Sequence, residues 1–239
     1  MKAKNMSRYS LTTTLILIAA IVLLLIGTVG AARATLTQSE TYKSQMAMKE
    51  IGLQLNENDA PASGSLLGSL LGEGEKLILG KEYDEKLSVT NTADIDEYVR
   101  VSIYKYWQDE EGKATDLSPA LIKLTLGTDN WIVDDSATTD ERMVLYYTKP
   151  LAAATENSAA ETTSYVLTGI SISSDVGKIV SQTPSADGRT ITTTYKYDGI
   201  EFGLKVEVDG IQTHNAEEAA MSAWGRKITI ESDGTLKLG

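Results

Sequence analysis

The sequence predicts an all-β protein, an antiparallel two-layer sandwich or jelly roll with one short C-terminal helix. Apolar and polar residues alternate along residues 200–208, which is the period of a strand with one face in water. Asp-Gly pairs, which are typical of tight turns, recur at residues 187–188, 198–199 and 233–234. A chain of 239 residues is long enough for one domain with a substantial core.

The first 34 residues predict a membrane-targeting segment. Three basic residues precede an unbroken apolar stretch at 15–26, and a small-x-small site, Ala32 and Ala34 around Arg33, follows; the basic residues are Lys2, Lys4 and Arg8. This order predicts a signal peptide cleaved after Ala34, leaving a mature domain of residues 35–239. With its uncharged flanks the stretch approaches the roughly 20 residues that span a bilayer, so retention as a single-pass anchor is the alternative.

The segment after the cleavage site is a candidate assembly strand. Its apolar positions come late, and the candidate residues are Thr35, Leu36, Met46, Met48, Ile51 and Leu53. An extended N-terminal segment can complete an open sheet edge in a neighbouring molecule. The alternative is that residues 46–55 form the first strand of the chain's own sandwich, with residues 35–44 as a tether.

Two low-complexity segments are predicted to be loops. Residues 59–74 contain Ser-Leu-Leu-Gly twice, and four exposed leucines would be costly. This segment is therefore either a contact surface or a loop folded over one end of the sandwich. Residues 152–163 are small and polar, which is typical of a solvated loop.

The remaining strands follow from alternation and turn signals. Residues 99–103 begin a strand that ends near Trp107, before a turn at 109–112. Further strands are predicted at 121–126, 143–148, 165–172 and 228–231. Residues 191–197 and 200–208 flank Asp198-Gly199, which predicts a long hairpin. A helix of about ten residues is predicted to begin with Asn215 capping its first amides and to end at Gly225.

Composition excludes several functional classes. The net charge is −11, and it becomes −15 without the first 34 residues, which carry four basic side chains and no acidic one. Such an acidic chain repels phosphate backbones, so nucleic acid is excluded as an expected partner. The chain has no cysteine, which excludes disulfides, zinc-thiolate sites and thiol catalysis.

Three stretches carry a resemblance to a known family. They are the end of the apolar segment at 25–32, residues 87–101, and residues 197–212; Trp131, Tyr146-Tyr147 and Pro150-Leu151 add to it. The chain resembles the exported substrates of the SipW-type signal peptidase, the TasA/camelysin (CalY-like) family. The resemblance implies a jelly roll, export in a Gram-positive bacterium, and, in the fibre-forming members, donation of an N-terminal strand to the next subunit. The insert at 108–140 and the leucine-rich loop depart from the shortest members.

Camelysin-like proteins have been classed as metallopeptidases, so an enzyme is a further alternative. The chain has one histidine, His214, and no His-Glu-x-x-His pair, whereas catalytic zinc normally takes at least two nitrogen or sulfur ligands. Acidic clusters at 94–97 and 134–141 could bind calcium, but a solvated acidic loop is the simpler interpretation. Arg100 is expected to form an ion pair or a cation–π contact.

The sequence therefore predicts a structural protein of the bacterial surface or extracellular biofilm matrix. It is expected to self-associate or to bind related surface proteins, to meet a signal peptidase during export, and to contact the membrane through its N-terminal segment before cleavage. We expect no catalytic residue, no metal and no cofactor. A membrane-tethered monomeric binding module is the main alternative, and a camelysin-like peptidase is the second.

Overall fold

The computed structural model describes residues 52–63, 66–71, 75–186, 191–196 and 199–239. Within these ranges the chain is mostly β-strand, with one α-helix, and every strand pair is antiparallel. The predicted β class is thus confirmed. Residues Lys49–Gly239 cluster as one compact unit. The predicted N-terminal apolar helix lies outside the described residues, and no described helix is long and apolar enough to cross a membrane.

The first sheet has five strands. Their order is β2 (Ala60–Pro61), β1 (Leu53–Glu57), β3 (Glu82–Asn91), β9 (Leu167–Ile172) and β6 (Ile122–Leu126). The predicted strands at 121–126 and 165–172 correspond to β6 and β9. A register shift between β3 and β9 interrupts their pairing between Asp84 and Leu87.

The second sheet is built around β4 (Glu97–Asp109), the longest strand of the described residues, and has five strands in all. Its order is β12 (Glu201–Gln212), β4 (Glu97–Asp109), β8 (Arg142–Tyr147) and β7 (Trp131–Val133), and β5 (Gly112–Ala114) also pairs with β4. The predicted turn at 109–112 joins β4 to β5, and the Asp109 carboxylate accepts hydrogen bonds from the amides of Glu111 and Gly112.

Four short strands form two separate hairpins. One consists of β10 (Val180–Pro184) and β11 (Ile191–Tyr195), and the other of β13 (Ile228–Ile230) and β14 (Leu236–Leu238). Helix α1 spans Ala216–Trp224, and short 3-10 helices span Pro119–Leu121 and Ser174–Lys178.

Both five-stranded sheets contribute to one hydrophobic core. From β3 come Leu87 and Val89, and from β4 come Val99, Val101 and Ile103, each with no exposed surface. On both strands these residues recur at every second position, so alternation places one full face of each sheet inside. At roughly 25 cal/mol per Å² of buried apolar surface, this shared core supplies the main driving force for folding.

The opposite face of β4 is also covered, which the sequence did not indicate. A second cluster joins this face to the C-terminal elements; its buried members include Tyr98, Tyr146, Ala220, Trp224, Ile228 and Leu236. The Tyr146 and Trp224 rings meet edge to face with centroids 5.3 Å apart. Helix α1 and the β13–β14 hairpin therefore form a third layer over part of the second sheet.

The predicted hairpin between residues 191–197 and 200–208 is wrong. Strand β11 pairs with β10, from Val180 opposite Tyr195 to Pro184 opposite Ile191, whereas β12 pairs with β4 over all twelve of its residues. Strand β12 has an apolar face that can complete the core beside β4. The described side chains of the Thr-rich β11, those of Thr193, Thr194 and Tyr195, are exposed and form no comparable face.

The predicted side-chain cap of the helix is also wrong. Asn215 does precede α1, but it lies in the left-handed region with φ 54° and its side chain makes no capping hydrogen bond. A left-handed residue turns its side chain away from the first-turn amides, which a capping residue reaches from extended backbone. The helix end is as predicted, since Gly225 adopts φ 63° as a C-terminal glycine does.

The leucine-rich segment packs against the core. Leu66, Leu67, Leu70 and Leu71 are partly buried against it, which favours a loop folded over the domain and not a free contact surface. Beneath this segment Glu57 accepts a hydrogen bond of 2.7 Å from the Leu67 amide. The neighbouring Glu85 is fully buried, and burial, together with Glu57, raises the pKa of its carboxyl to about 7. Within the polar loop at 152–163, the backbone carbonyl of Glu161 accepts a hydrogen bond from the backbone N–H of Asn91.

Candidate assembly surface

Strand β12 forms a long edge of the second sheet. It pairs with β4 from Glu201 opposite Gln108 to Gln212 opposite Glu97. No described strand pairs with its other edge. A twelve-residue edge offers a row of backbone donors and acceptors, which is a template for another strand unless it is covered.

The inward side chains of β12 are incompletely covered. Phe202, Val206 and Val208 pack against the core but remain partly exposed, while Leu204 is buried. Their register partners on β4, among them Val101 and Ile103, are fully buried. The core is therefore sealed along β4 and open towards water along β12.

Strand β1 lies on the other side of this opening. It contacts β12 although the two strands belong to different sheets. Its Leu53 and Leu55 are also only partly buried against the core. The result is an apolar margin between the two sheets, bordered by β1 and β12. Along it runs the edge of β12 that has no partner among the described strands.

A buried carboxyl group lies at one end of this margin. Glu97, the first residue of β4, faces the same side as Val99 and Val101 and has no exposed surface. Neither carboxylate oxygen has a hydrogen-bond partner among the described residues. Burial raises the pKa of Glu97 to about 7, and the nearby Gly52 amide, which does not meet hydrogen-bond geometry, opposes this shift only in part.

Glu97 lies close to Gly52, the first described residue of the chain. Gly52 immediately precedes β1, and its carbonyl accepts a hydrogen bond from the Thr92 amide in the loop before β4. The carboxyl group near the Gly52 amide is therefore close to the point where the N-terminal segment joins the domain.

Most residues of the predicted assembly strand lie outside the described residues. Thr35, Leu36, Met46, Met48 and Ile51 lie outside the described residues, as do Ala32 and Ala34 of the predicted cleavage site. Leu53 is described, and it opens β1 opposite Asn91 of β3. The last residues of the predicted 46–55 strand thus belong to the chain's own sheet, and the earlier ones remain a prediction.

Three of the other candidate residues, His214, Asp96 and Asp134, lie among the described residues. His214 is exposed between β12 and α1, and the described part of the chain holds no group of three or more His, Asp or Glu residues suited to a metal. Asp96 accepts a hydrogen bond from the Ala153 amide, and buried Asp134 lies 2.9 Å from Arg226. Two members of the predicted acidic clusters are therefore engaged within the protein.

Glu97 was missed as a buried residue because it was grouped with the acidic loop at 94–97. Extending the alternation of Val99, Val101 and Ile103 back by one step would have placed it on the inner face.

Comparisons with known proteins found no relative of this chain. No family model, no curated protein and no solved structure matches it.

Proposed function

We propose that this chain is an exported structural protein of the bacterial cell surface or extracellular matrix that self-associates. In this proposal the domain is a jelly-roll-like sandwich, and the N-terminal segment of one copy adds as a strand to the β12 edge of another. It acts outside the cell, either free or tethered through its N-terminal segment where that segment is retained. The observation that carries the proposal is the β12 edge beside the apolar margin, with which no described strand pairs.

Strand addition suits this surface for two reasons. The edge supplies main-chain hydrogen bonds, which give affinity whatever the sequence of the added strand. The partly exposed Phe202, Val206 and Val208 supply an apolar surface against which alternate side chains can be buried. Hydrogen bonds and side-chain burial together would fix the register of an added strand.

The N-terminal segment is the occupant best matched to this edge. Residues 1–51 precede the described chain, and Gly52 brings them to β1, on the border of the apolar margin. Met46, Met48 and Ile51 can supply apolar side chains, whereas a mature chain of net charge −15 disfavours unspecific association. Assembly therefore requires a specific contact of this kind.

The test compares oligomeric states by size-exclusion chromatography with light scattering. The chain beginning at Thr35 is expected to form large species. Val206→Lys is expected to remain monomeric, because an added strand would then have to pack against a charged side chain at the apolar margin. Lysine can extend from a partly exposed position to water, and circular dichroism checks that the variant is folded. Ser181→Lys places the same charge on exposed β10 and should assemble like the parent.

Two outcomes would contradict the proposal. If the parent chain is monomeric at high concentration, strand donation is wrong, and a displayed binding module becomes the leading account. If Val206→Lys assembles as the parent does, the contact between copies lies elsewhere than at β12.

A further inference from the structure

Three of the six arginines in this acidic chain line one cleft on the outer face of the second sheet. Arg100 comes from β4, Arg142 from β8, and Arg226 from the segment after α1. The cleft has a volume of about 280 Å³, near the lower end of the range for small-molecule sites. It lies on the face opposite the shared core and contains none of the residues of the apolar margin.

Two of the arginines are fixed by carboxylates. Arg100 donates from Nε and Nη2 to Asp209 Oδ2, at 3.1 and 2.8 Å, and its guanidinium lies 5.6 Å from the centre of the Trp224 ring. Arg226 Nε lies 2.9 Å from Oδ2 of Asp134, a residue only 1% exposed. This last pair is an ion pair and not a hydrogen bond, because the N–H is not directed at the oxygen.

Arg142 differs from the other two. Its Nε and Nη2 donate to the Ala137 carbonyl, at 3.2 and 2.8 Å. This contact holds the side chain in place but does not balance its charge. No carboxylate among the described residues forms an ion pair with Arg142. Its remaining terminal nitrogen, Nη1, makes no hydrogen bond within the described chain.

The charged side chains that line the cleft, counted with their ion-pair partners, carry a positive sum in spite of the acidity of the chain. The cationic members are Arg100, Arg142, Arg226 and Lys205, and the carboxylates are Asp134, Glu207 and Asp209. One positive charge is left over, and it corresponds to Arg142. The Ser102 hydroxyl lines the same cleft and has no hydrogen-bond partner among the described residues, so it can donate to an anion.

We propose that this cleft binds a small organic acid, with one carboxylate of the ligand held by Arg142 and assisted by Arg226 and Ser102. Guanidinium groups pair with carboxylates through parallel N–H donors, which gives both strength and orientation. Arg100 and Arg226, fixed by their own ion pairs, shape the walls and limit the ligand to a size compatible with the cleft. The proposal is independent of assembly at β12.

Citrate is the probe, titrated at constant ionic strength and followed by NMR. The protein is the ¹⁵N-labelled chain beginning at Thr35 with Val206→Lys, which is expected to stay monomeric and whose substitution lies outside the cleft. The three tryptophan indoles report the position of binding. Trp107 and Trp131 donate to the carbonyls of Ser118 and Ser164, whereas Trp224 Nε1 is buried at the cleft without a described partner. We expect the Trp224 signal to shift with saturation at millimolar citrate or below, while the other two indole signals stay in place.

Arg142→Gln should weaken citrate binding by about tenfold or more, since it removes hydrogen bonds from a charged donor to a charged ligand. Glutamine can still donate to the Ala137 carbonyl, and thermal unfolding checks that the fold is kept. The matched control is Lys113→Gln, which removes a neighbouring charge paired with Glu141 outside the cleft and should leave binding unchanged.

The proposal is wrong if millimolar citrate leaves the Trp224 signal unchanged. It is also wrong if Arg142→Gln binds citrate as tightly as the parent, or if Lys113→Gln weakens binding equally, because the effect then reflects overall charge alone.

Discussion

Strands β4 and β12 are paired over twelve positions yet differ in almost every other respect. Strand β4 has neighbours on both edges and is covered on both faces, by the shared core on one side and by the C-terminal elements on part of the other. Strand β12 has one described neighbour, and three of its inward side chains, Phe202, Val206 and Val208, stay partly exposed. The comparison shows that the position of a strand in its sheet, more than its composition, decides how completely its side chains are buried.

The sharpest test of this difference uses a matched pair of valines. Val101 of β4 and Val208 of β12 are register partners, but only Val101 is fully buried. We expect Val101→Ala to lower the free energy of unfolding by about 2–3 kcal/mol, because it removes buried carbons and leaves a cavity. Val208→Ala should cost about 1 kcal/mol or less. Urea unfolding measures both, and equal losses would mean that β12 is covered as completely as β4.

The second test concerns Glu97, opposite Gln212 of β12. Its carboxyl has an ordinary pKa of 4.5, raised by burial to about 7. Between these values the unfolded chain has released a proton that the folded chain keeps, so stability falls as the pH rises through this window. Glu97→Gln removes this loss and should therefore be more stable than the parent by about 2–3 kcal/mol at pH 8, with little difference at pH 4.

Urea unfolding midpoints of parent and variant across this pH range make the measurement. Glu85, whose pKa is raised in the same direction, remains in both proteins and cancels in the comparison. A Glu97→Gln variant that is less stable than the parent at pH 8 would show instead that the ionised carboxylate has a favourable partner.

The smallest expected effect belongs to the ion pair that joins the outer faces of the two strands. The Arg100 and Asp209 side chains are 21% and 42% exposed, so water weakens their attraction. Asp209→Asn should cost about 0.5–1 kcal/mol, and the cost should shrink in high salt. Asp175→Asn, in a more exposed pair with Lys178, is the control and should cost less. A loss at Asp209 that does not depend on salt would indicate packing in place of charge.

The sequence predicted the strands better than it predicted their partners. Strand β12 was recognisable because its outer face meets water, which keeps the alternation of Phe202, Leu204, Val206 and Val208 visible. Its pairing with β4, and not with the nearby β11, depends on completing a core contributed by residues far along the chain. Local turn signals such as Asp198-Gly199 carry no information about that choice.

The candidate surfaces were predicted less well than the fold. The outer face of β4, with Arg100 and Tyr104, reads as a solvated face in the sequence, and nothing local indicates that α1 packs beside it. The arginine cleft draws its residues from three separate elements, so no spacing pattern in the sequence could reveal it. Arg100 itself was correctly expected to form an ion pair or a cation–π contact.

The pairing of β4 with β12 also sets when this domain can fold. Arg100 and Asp209 face each other across the strands although 109 residues separate them in sequence. Pairings between distant segments incur a large loop-closure entropy before any contact is gained, which makes folding slow. During synthesis β4 emerges long before its partner, and the second sheet cannot be completed until most of the 239-residue chain has been made. A nascent chain therefore spends most of its synthesis with its second sheet incomplete, because β12 ends only at Gln212.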